Sequence, residues 1–252
     1  SIVNSSPEFV GEPRAIWPDA LPFGSSGKWF CDFASSKKSR TPVVYTGSND
    51  GMLHGFNASA NGGNEVLAYI PEFVYNASAS NAGLHFLSDP AYQHRYYVDL
   101  EIRQQDIFTK GKQSDGSLTA DEDWRTIIVG GGRAGAKGVF ALDVTDPSGF
   151  SEANAEKVVL WEFSGQDDAR MGYVTQAPII GMTKWGTNLR WTAFISNGYN
   201  SNTESTGFFM LDIEGGMDGT WDSADVRYVE FEGAGGDGLS PLAAFDTTGD
   251  YL

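Results

Sequence analysis

The sequence predicts an all-β chain arranged as a β-propeller, and three observations carry that prediction. No long segment repeats apolar residues at i, i+3, i+4 and i+7; short runs rich in Val, Ile, Thr, Phe, Tyr and Trp alternate instead with clusters of Gly, Asn, Asp and Ser. A three-strand pattern occurs three times, with Asn57, Asp143 and Asp212 in matching places, 86 and 69 residues apart. Gly accounts for 31 of the 252 residues while apolar residues hold at 40%, so a large core is available but frequently interrupted by turns. Four antiparallel strands per unit with loops of variable length describe a propeller blade. About three blades are present, fewer than the roughly four to eight of a closed propeller, so residues 41–252 read as part of a larger propeller domain.

Residues 1–40 carry no clear period, although Lys28 to Phe33 could supply a strand. The first unit then runs Val43–Gly47, Met52–Asn57 and Glu65–Ile70. Pro71 to Ala82 is a weakly periodic helix, and Arg95 to Leu100 a fourth strand. Gln104 to Asp123, polar and Gly-containing, reads as an inserted loop. The second unit runs Thr126–Val129, Gly138–Val144 and Lys157–Phe163, with a short helix at Ser151–Lys157 and a fourth strand at Gly172–Ile180. The third runs Thr192–Ile195, Gly207–Asp212 and Val226–Phe231, followed by Leu239–Phe245. Trp161, Tyr228 and Phe231 recur in the outer strands and are expected to pack between blades.

Charge excludes one class of partner. With 17 Lys and Arg against 33 Asp and Glu, the net charge is −16, and no basic face exists beyond the small group Lys37, Lys38 and Arg40. A phosphate backbone would be repelled, so nucleic acid is set aside. No run reaches the length needed to span a bilayer, and Ser1 to Phe9 lacks the basic start and apolar stretch of a signal peptide. Cys31, the single cysteine, excludes an internal disulfide and a CxxC zinc site, and reads as a small buried hydrophobe.

Three patterns invite chemistry. Gly130-Gly131-Gly132-Arg133-Ala134-Gly135 fits GxGxxG, but dinucleotide binding needs a helix next, and Gly138 to Val144 alternates as a strand; a Gly-rich hairpin between the second and third strands of a blade is expected. His54, His85 and His94 have no metal-ligand spacing and are read as structural. Asp246-Thr247-Thr248-Gly249-Asp250-Tyr251-Leu252 has oxygen side chains at loop positions 1, 3 and 5, and the Leu252 carbonyl can join them, which suits Ca²⁺. The same sequence also suits a simple turn.

Longer motifs add a resemblance. Val44-Tyr45-Thr46-Gly47-Ser48-Asn49-Asp50-Gly51-Met52-Leu53-His54-Gly55-Phe56 resembles the first-blade motif of the type IV pilus tip-associated proteins, the PilC/PilY family, and Ala68-Tyr69-Ile70-Pro71-Glu72 continues it. Asp89 to Asp99, Gly138 to Pro147, Leu160-Trp161-Glu162-Phe163, Asn197 to Ser201 and Gly238-Leu239-Ser240-Pro241 follow in the family's order, so the resemblance covers about residues 41 to 252.

The resemblance implies a non-enzymatic C-terminal propeller, exported through the periplasm to the pilus tip or outer-membrane surface. Its partners would be minor pilins and a host-cell or abiotic surface receptor, and its roles pilus assembly, twitching motility and adhesion. It also implies calcium regulation through an Asp-rich loop, with Asp246, Thr248, Asp250 and the Leu252 carbonyl at the matching positions; Thr248 stands where Asp or Asn is more usual. No Arg-Gly-Asp tripeptide supports integrin binding. Two rivals share the architecture. A quinone-dependent dehydrogenase propeller would often place a vicinal Cys pair beside its cofactor, which Cys31 alone cannot supply. A scaffold propeller of outer-membrane protein assembly would be non-catalytic.

Overall fold

The structure is a computed structural model that describes residues 1–75, 83–231, 238–239 and 241–247. Among the described residues, twelve strands make three four-stranded antiparallel sheets, each a meander in chain order. Blade 1 contains β1 (Glu8–Val10), β2 (Val43–Gly47), β3 (Leu53–Asn57) and β4 (Glu65–Tyr69). Blade 2 contains β5 (Arg103–Thr109), β6 (Asp123–Gly131), β7 (Gly138–Asp143) and β8 (Val159–Ser164). Blade 3 contains β9 (Ile179–Trp185), β10 (Asn188–Ser196), β11 (Gly207–Asp212) and β12 (Val226–Glu230).

The pleat explains how one blade serves two interfaces. Side chains alternate across a strand. Along β6, Ile127 and Val129 join the core shared with blade 3, while Ile128 joins the core shared with blade 1. On β7, Val139 and Ala141 face the first core, and Phe140 and Leu142 face the second. Every residue of β7 is buried, the consequence of a sheet covered on both faces. β1 and β9 both approach β5, so the first strands converge, whereas β4 and β12 are exposed or half-buried along their length and form the rim.

The structure relocates several predicted elements. Arg95–Leu100 and Gly172–Ile180 are crossovers between blades, and only Ile179 and Ile180 of the second belong to a strand; the true first strands, β5 and β9, start later. The alternation in Tyr97, Val98 and Leu100 reflects burial at a blade junction. Their backbone bonds go to loop ends, Val98 N–H to Ser48 O (3.4 Å) and Leu100 N–H to Gly131 O (3.1 Å). Gly172 N–H likewise donates to Asn197 O (2.7 Å). Leu239 makes an isolated bridge with Gly198, and the described residues from 241 to 245 form no strand. The insertion predicted at 104–123 shrinks to residues 110–122, because its first residues are β5.

Residues 1–40 contribute a strand, but at Glu8–Val10; Lys28–Phe33 instead runs into α1 (Phe30–Ser36). Phe30 and Phe33, three apart, share the buried face of that helix, a helical spacing too short to stand out in sequence. The predicted helix at 71–82 is α2 (Glu72–Tyr75), and its remainder lies outside the described residues. The predicted helix at 151–157 is a 3₁₀ turn (Glu152–Asn154) followed by α3 (Ala155–Val158). Gly132 to Lys137 do connect β6 to β7 as a hairpin loop, with no helix after the glycines.

Candidate functional site

The predicted calcium loop is described only at its start. Asp246 is exposed and borders an apolar cleft walled by Trp17, Ile180, Met182, Phe194 and Phe245. Thr248, Asp250 and Leu252 lie outside the described residues. The segment leading to this loop is docked through side-chain amides: Leu242 N–H donates to Gln176 Oε1 (2.7 Å), Gln176 Nε2 donates to Leu242 O (3.2 Å), and Leu239 N–H donates to Asn197 Oδ1 (3.1 Å). Asn49 plays the corresponding part for the first crossover, accepting from Tyr97 N–H at 3.1 Å. Among the described residues, no group of three or more His, Cys, Asp or Glu is placed to hold a metal.

The three matching residues of the repeat end the third strands, and each folds the turn that follows. Asn57, Asp143 and Asp212 accept through Oδ1 from the backbone N–H two residues on, at Ser59 (2.9 Å), Thr145 (2.9 Å) and Glu214 (3.2 Å). These are Asx turns, which short polar side chains close with their own backbone. The two aspartates also bind an arginine across the sheet, Arg125 Nη1 to Asp143 (2.9 Å) and Arg190 Nη1 to Asp212 (2.6 Å). In blade 1 the residue is the neutral Asn57, and the position corresponding to those arginines is Thr41. Burial pushes the Asp212 carboxyl above the usual range despite Arg190.

Both arginine–aspartate pairs lie in clefts, of about 530 Å³ at blade 2 and about 650 Å³ at blade 3. Each cleft takes its opposite wall from residues 11–42, which leave blade 1 after β1 and return at β2. Trp17 Nε1 donates to Asp106 O (2.9 Å), and its ring stacks on Phe23 with centroids 5.1 Å apart. Trp17 and Phe23 both meet Trp191 edge-on. Phe30 meets Trp124 edge-on at 4.8 Å, and Trp124 Nε1 donates to Lys28 O (3.2 Å). The blade 3 cleft is acidic: burial raises Glu122 and Asp225, reinforced by Glu214 and by Asp222 with Asp218 respectively.

The remaining buried ionisable groups are tied into the scaffold. Arg40 donates through Nε to Gly11 O and through Nη1 to Thr126 Oγ1 (2.6 Å), and Thr126 Oγ1 donates to Asp106 Oδ1 (2.6 Å). Burial lowers the Arg40 guanidinium and raises the Asp106 carboxyl. Glu162, raised by burial, accepts from Tyr69 Oη–H, Glu72 N–H (2.8 Å) and Phe73 N–H (3.3 Å), clamping blade 2 to blade 1. His54 sits between Asp50 (3.0 Å) and Glu65. Cys31 is exposed rather than buried, and a hydrogen bond to Asp19 raises its thiol.

Trp161 packs between blades as expected, donating from Nε1 to Ile213 O (3.1 Å) and meeting Trp221 edge-on. Tyr228 packs on Phe209 and against the core shared by blades 2 and 3, as expected, whereas Phe231, beyond the end of β12, remains 45% exposed beside Phe208. The contacts of Trp17 with Asp106, Arg40 with Thr126 and Glu162 with Tyr69 have no signature in the sequence, because each is made to a segment at least 86 residues away. Arg125 and Arg190 each stand two residues before the partner of the repeat aspartate, a relation that only the strand register reveals.

Comparison with known proteins extends along nearly the whole chain. The model of the PilY1 beta-propeller domain matches residues 1–251. A type IV pilus biogenesis factor PilY1 of Pseudomonas aeruginosa is 34% identical over 254 aligned residues, covering 99% of this chain and 19% of the relative. A PilY1 homolog of Xylella fastidiosa is 35% identical over 226 residues, covering 87% of this chain and 14% of the relative. The crystal structure of the P. aeruginosa PilY1 C-terminal domain superposes with a TM-score of 0.64 at 28% identity, over 97% of this chain and 41% of that one. The chain therefore spans about a fifth of the length of the curated relatives it matches. With three meandering four-stranded sheets whose first strands converge, it belongs to the PilY1 beta-propeller domain family.

Proposed function

We propose that this chain is the propeller portion of a type IV pilus biogenesis factor and works there as a non-catalytic binding scaffold. The observation that carries the reading is 34% identity to a named pilus biogenesis factor over 99% of the chain. The commitment of its buried ionisable groups supports it: Asp106, Asp143, Asp212 and Glu162 each spend their oxygens on turns, arginines or hydroxyls of the scaffold. At the pilus tip or outer-membrane surface, the propeller would contact minor pilins, support pilus extension and twitching motility, and present loops to a surface receptor. The test is complementation of a deletion strain with the full-length protein carrying or lacking residues 1–252. Surface pili, twitching and co-purification of minor pilins are expected to be lost without them; normal piliation and pilin recovery would sink the reading.

Calcium regulation is the finer part of the proposal. The donors Asp246, Thr248, Asp250 and the Leu252 carbonyl are hard oxygens of the kind Ca²⁺ prefers. Calorimetric titration of the full-length protein with CaCl₂ should give a binding heat that disappears in Asp250→Ala. Unchanged heat in the variant would place the ion elsewhere.

A further inference from the structure

The link between the first and second strands differs sharply among the blades. In blade 3 it is Gly186 and Thr187; in blade 2 it is residues 110–122; in blade 1 it is residues 11–42. The ends of the long link meet. Val10 pairs with Val43, and Arg40 Nε donates to Gly11 O, so the β1–β2 ladder is complete before the link begins. Its internal hydrogen bonds are local, such as Phe23 N–H to Ala20 O (2.8 Å), Lys28 N–H to Ser25 O (2.9 Å) and Lys37 N–H to Phe33 O (3.0 Å). To the other blades it is held by side chains: Trp17 and Phe23 on Trp191, the Trp17 indole on Asp106 O (2.9 Å), Phe30 and Phe33 on Trp124, Arg40 Nη1 on Thr126 Oγ1 (2.6 Å), and Lys28 Nζ on Glu122 O (2.7 Å). It forms no strand ladder with blade 2 or 3 among the described residues.

We propose that residues 11–42 are a strap that opens and recloses as one unit while the three sheets stay folded. Elements held by side chains and local bonds open at lower free energy than strands inside a sheet. The strap supplies Trp29 and Phe33 to the cleft at blade 2, and Leu21 and Ser25 to the cleft at blade 3. One movement therefore remodels both clefts, and an occupant favouring either closed cleft stabilises the other through the shared wall. Opening uncovers Trp124 and Trp191, which are 3% and 5% exposed when the strap is down.

Native-state amide hydrogen exchange on the full-length protein tests this. The amides of Phe23, Lys28, Phe33 and Lys37 should exchange through one common opening, at least about tenfold faster than those of Ile127 and Val129 in β6. Trp17→Ala should accelerate all four strap amides by one shared factor of roughly 10², the scale of a lost half-buried indole, and the β6 amides by no more than that factor, so that the strap still exchanges ahead of the sheet. Phe30→Ala, on the blade 2 side, should accelerate Phe23 on the blade 3 side as much as Phe33. Wild-type strap amides exchanging at the β6 rate would show that the strap belongs to the global folding unit. Acceleration confined to the cleft nearest each substitution would break the coupling.

Discussion

His54 shows how a residue's neighbours decide its pH behaviour. Burial pulls its imidazole down, but hydrogen bonds and charge from Glu65 and Asp50 outweigh that and hold it above its ordinary value of 6.5. A histidine raised by folding contributes stability that is complete below its unfolded value and lost as pH rises through the folded one. Denaturant midpoints of the wild type should therefore decline on passing upward from about pH 6.5, whereas His54→Gln should flatten that part of the profile. An identical decline in the variant would assign the dependence to other groups. At this scale the sequence was informative where a residue acts on its own backbone. Asn57, Asp143 and Asp212 could be aligned because an Asx turn needs only local chain. Their arginine partners were not legible, because Arg125 reaches Asp143 through a cross-strand register set by the intervening hairpin. The exposure of Cys31 was also invisible, since α1 turns its buried face through Phe30 and Phe33.

Among the elements, strands in the middle of a blade were readable and crossovers were not. β2, β3, β6, β7 and β11 alternate inside well-marked turns, and both faces of the central ones are covered. The crossovers at 95–100 and 172–178 carry the same apolar alternation for another reason, burial between blades, so composition could not separate them from strands. Glycine marks where they pass. A Cβ on Gly47 would sit 2.4 Å from Val98 O, and one on Gly172 would sit 2.4 Å from Tyr199 O. Since backbone rather than a flexible side chain would have to yield, Gly47→Ala is expected to cost about 2 kcal/mol in chemical denaturation, in line with overpacking elsewhere. A change below about 0.5 kcal/mol would mean that the crossover adjusts freely. The long link of blade 1 was unreadable for a third reason: its hydrophobic residues answer to the floors of two other blades and follow no period of their own.

For the whole molecule, cohesion rests on two cores that each belong to a pair of blades, one of them also buttressed by the strap. Trp161 ties the second junction together, 3% exposed, with its indole N–H on Ile213 O. Trp161→Ala should cost about 4 kcal/mol by urea denaturation. Trp161→Phe keeps most of the packing and loses the hydrogen bond, at about 1 kcal/mol. Equal losses in the two variants would show that the hydrogen bond, not the ring, joins the blades. The sequence conveyed the repeat and the propeller architecture at this scale, because both follow from strand patterning. It could not convey that Glu8–Val10 completes blade 1, since a three-residue strand carries almost no pattern.

Chemistry has also left a convenient handle on the part of the molecule expected to move. Cys31 is the only sulfhydryl in the sequence; it lies exposed on α1, within the link that spans blades 2 and 3. A maleimide fluorophore or nitroxide would therefore attach at one position within these 252 residues, without mutagenesis. The position of a spectroscopic reporter has been fixed by the chain itself.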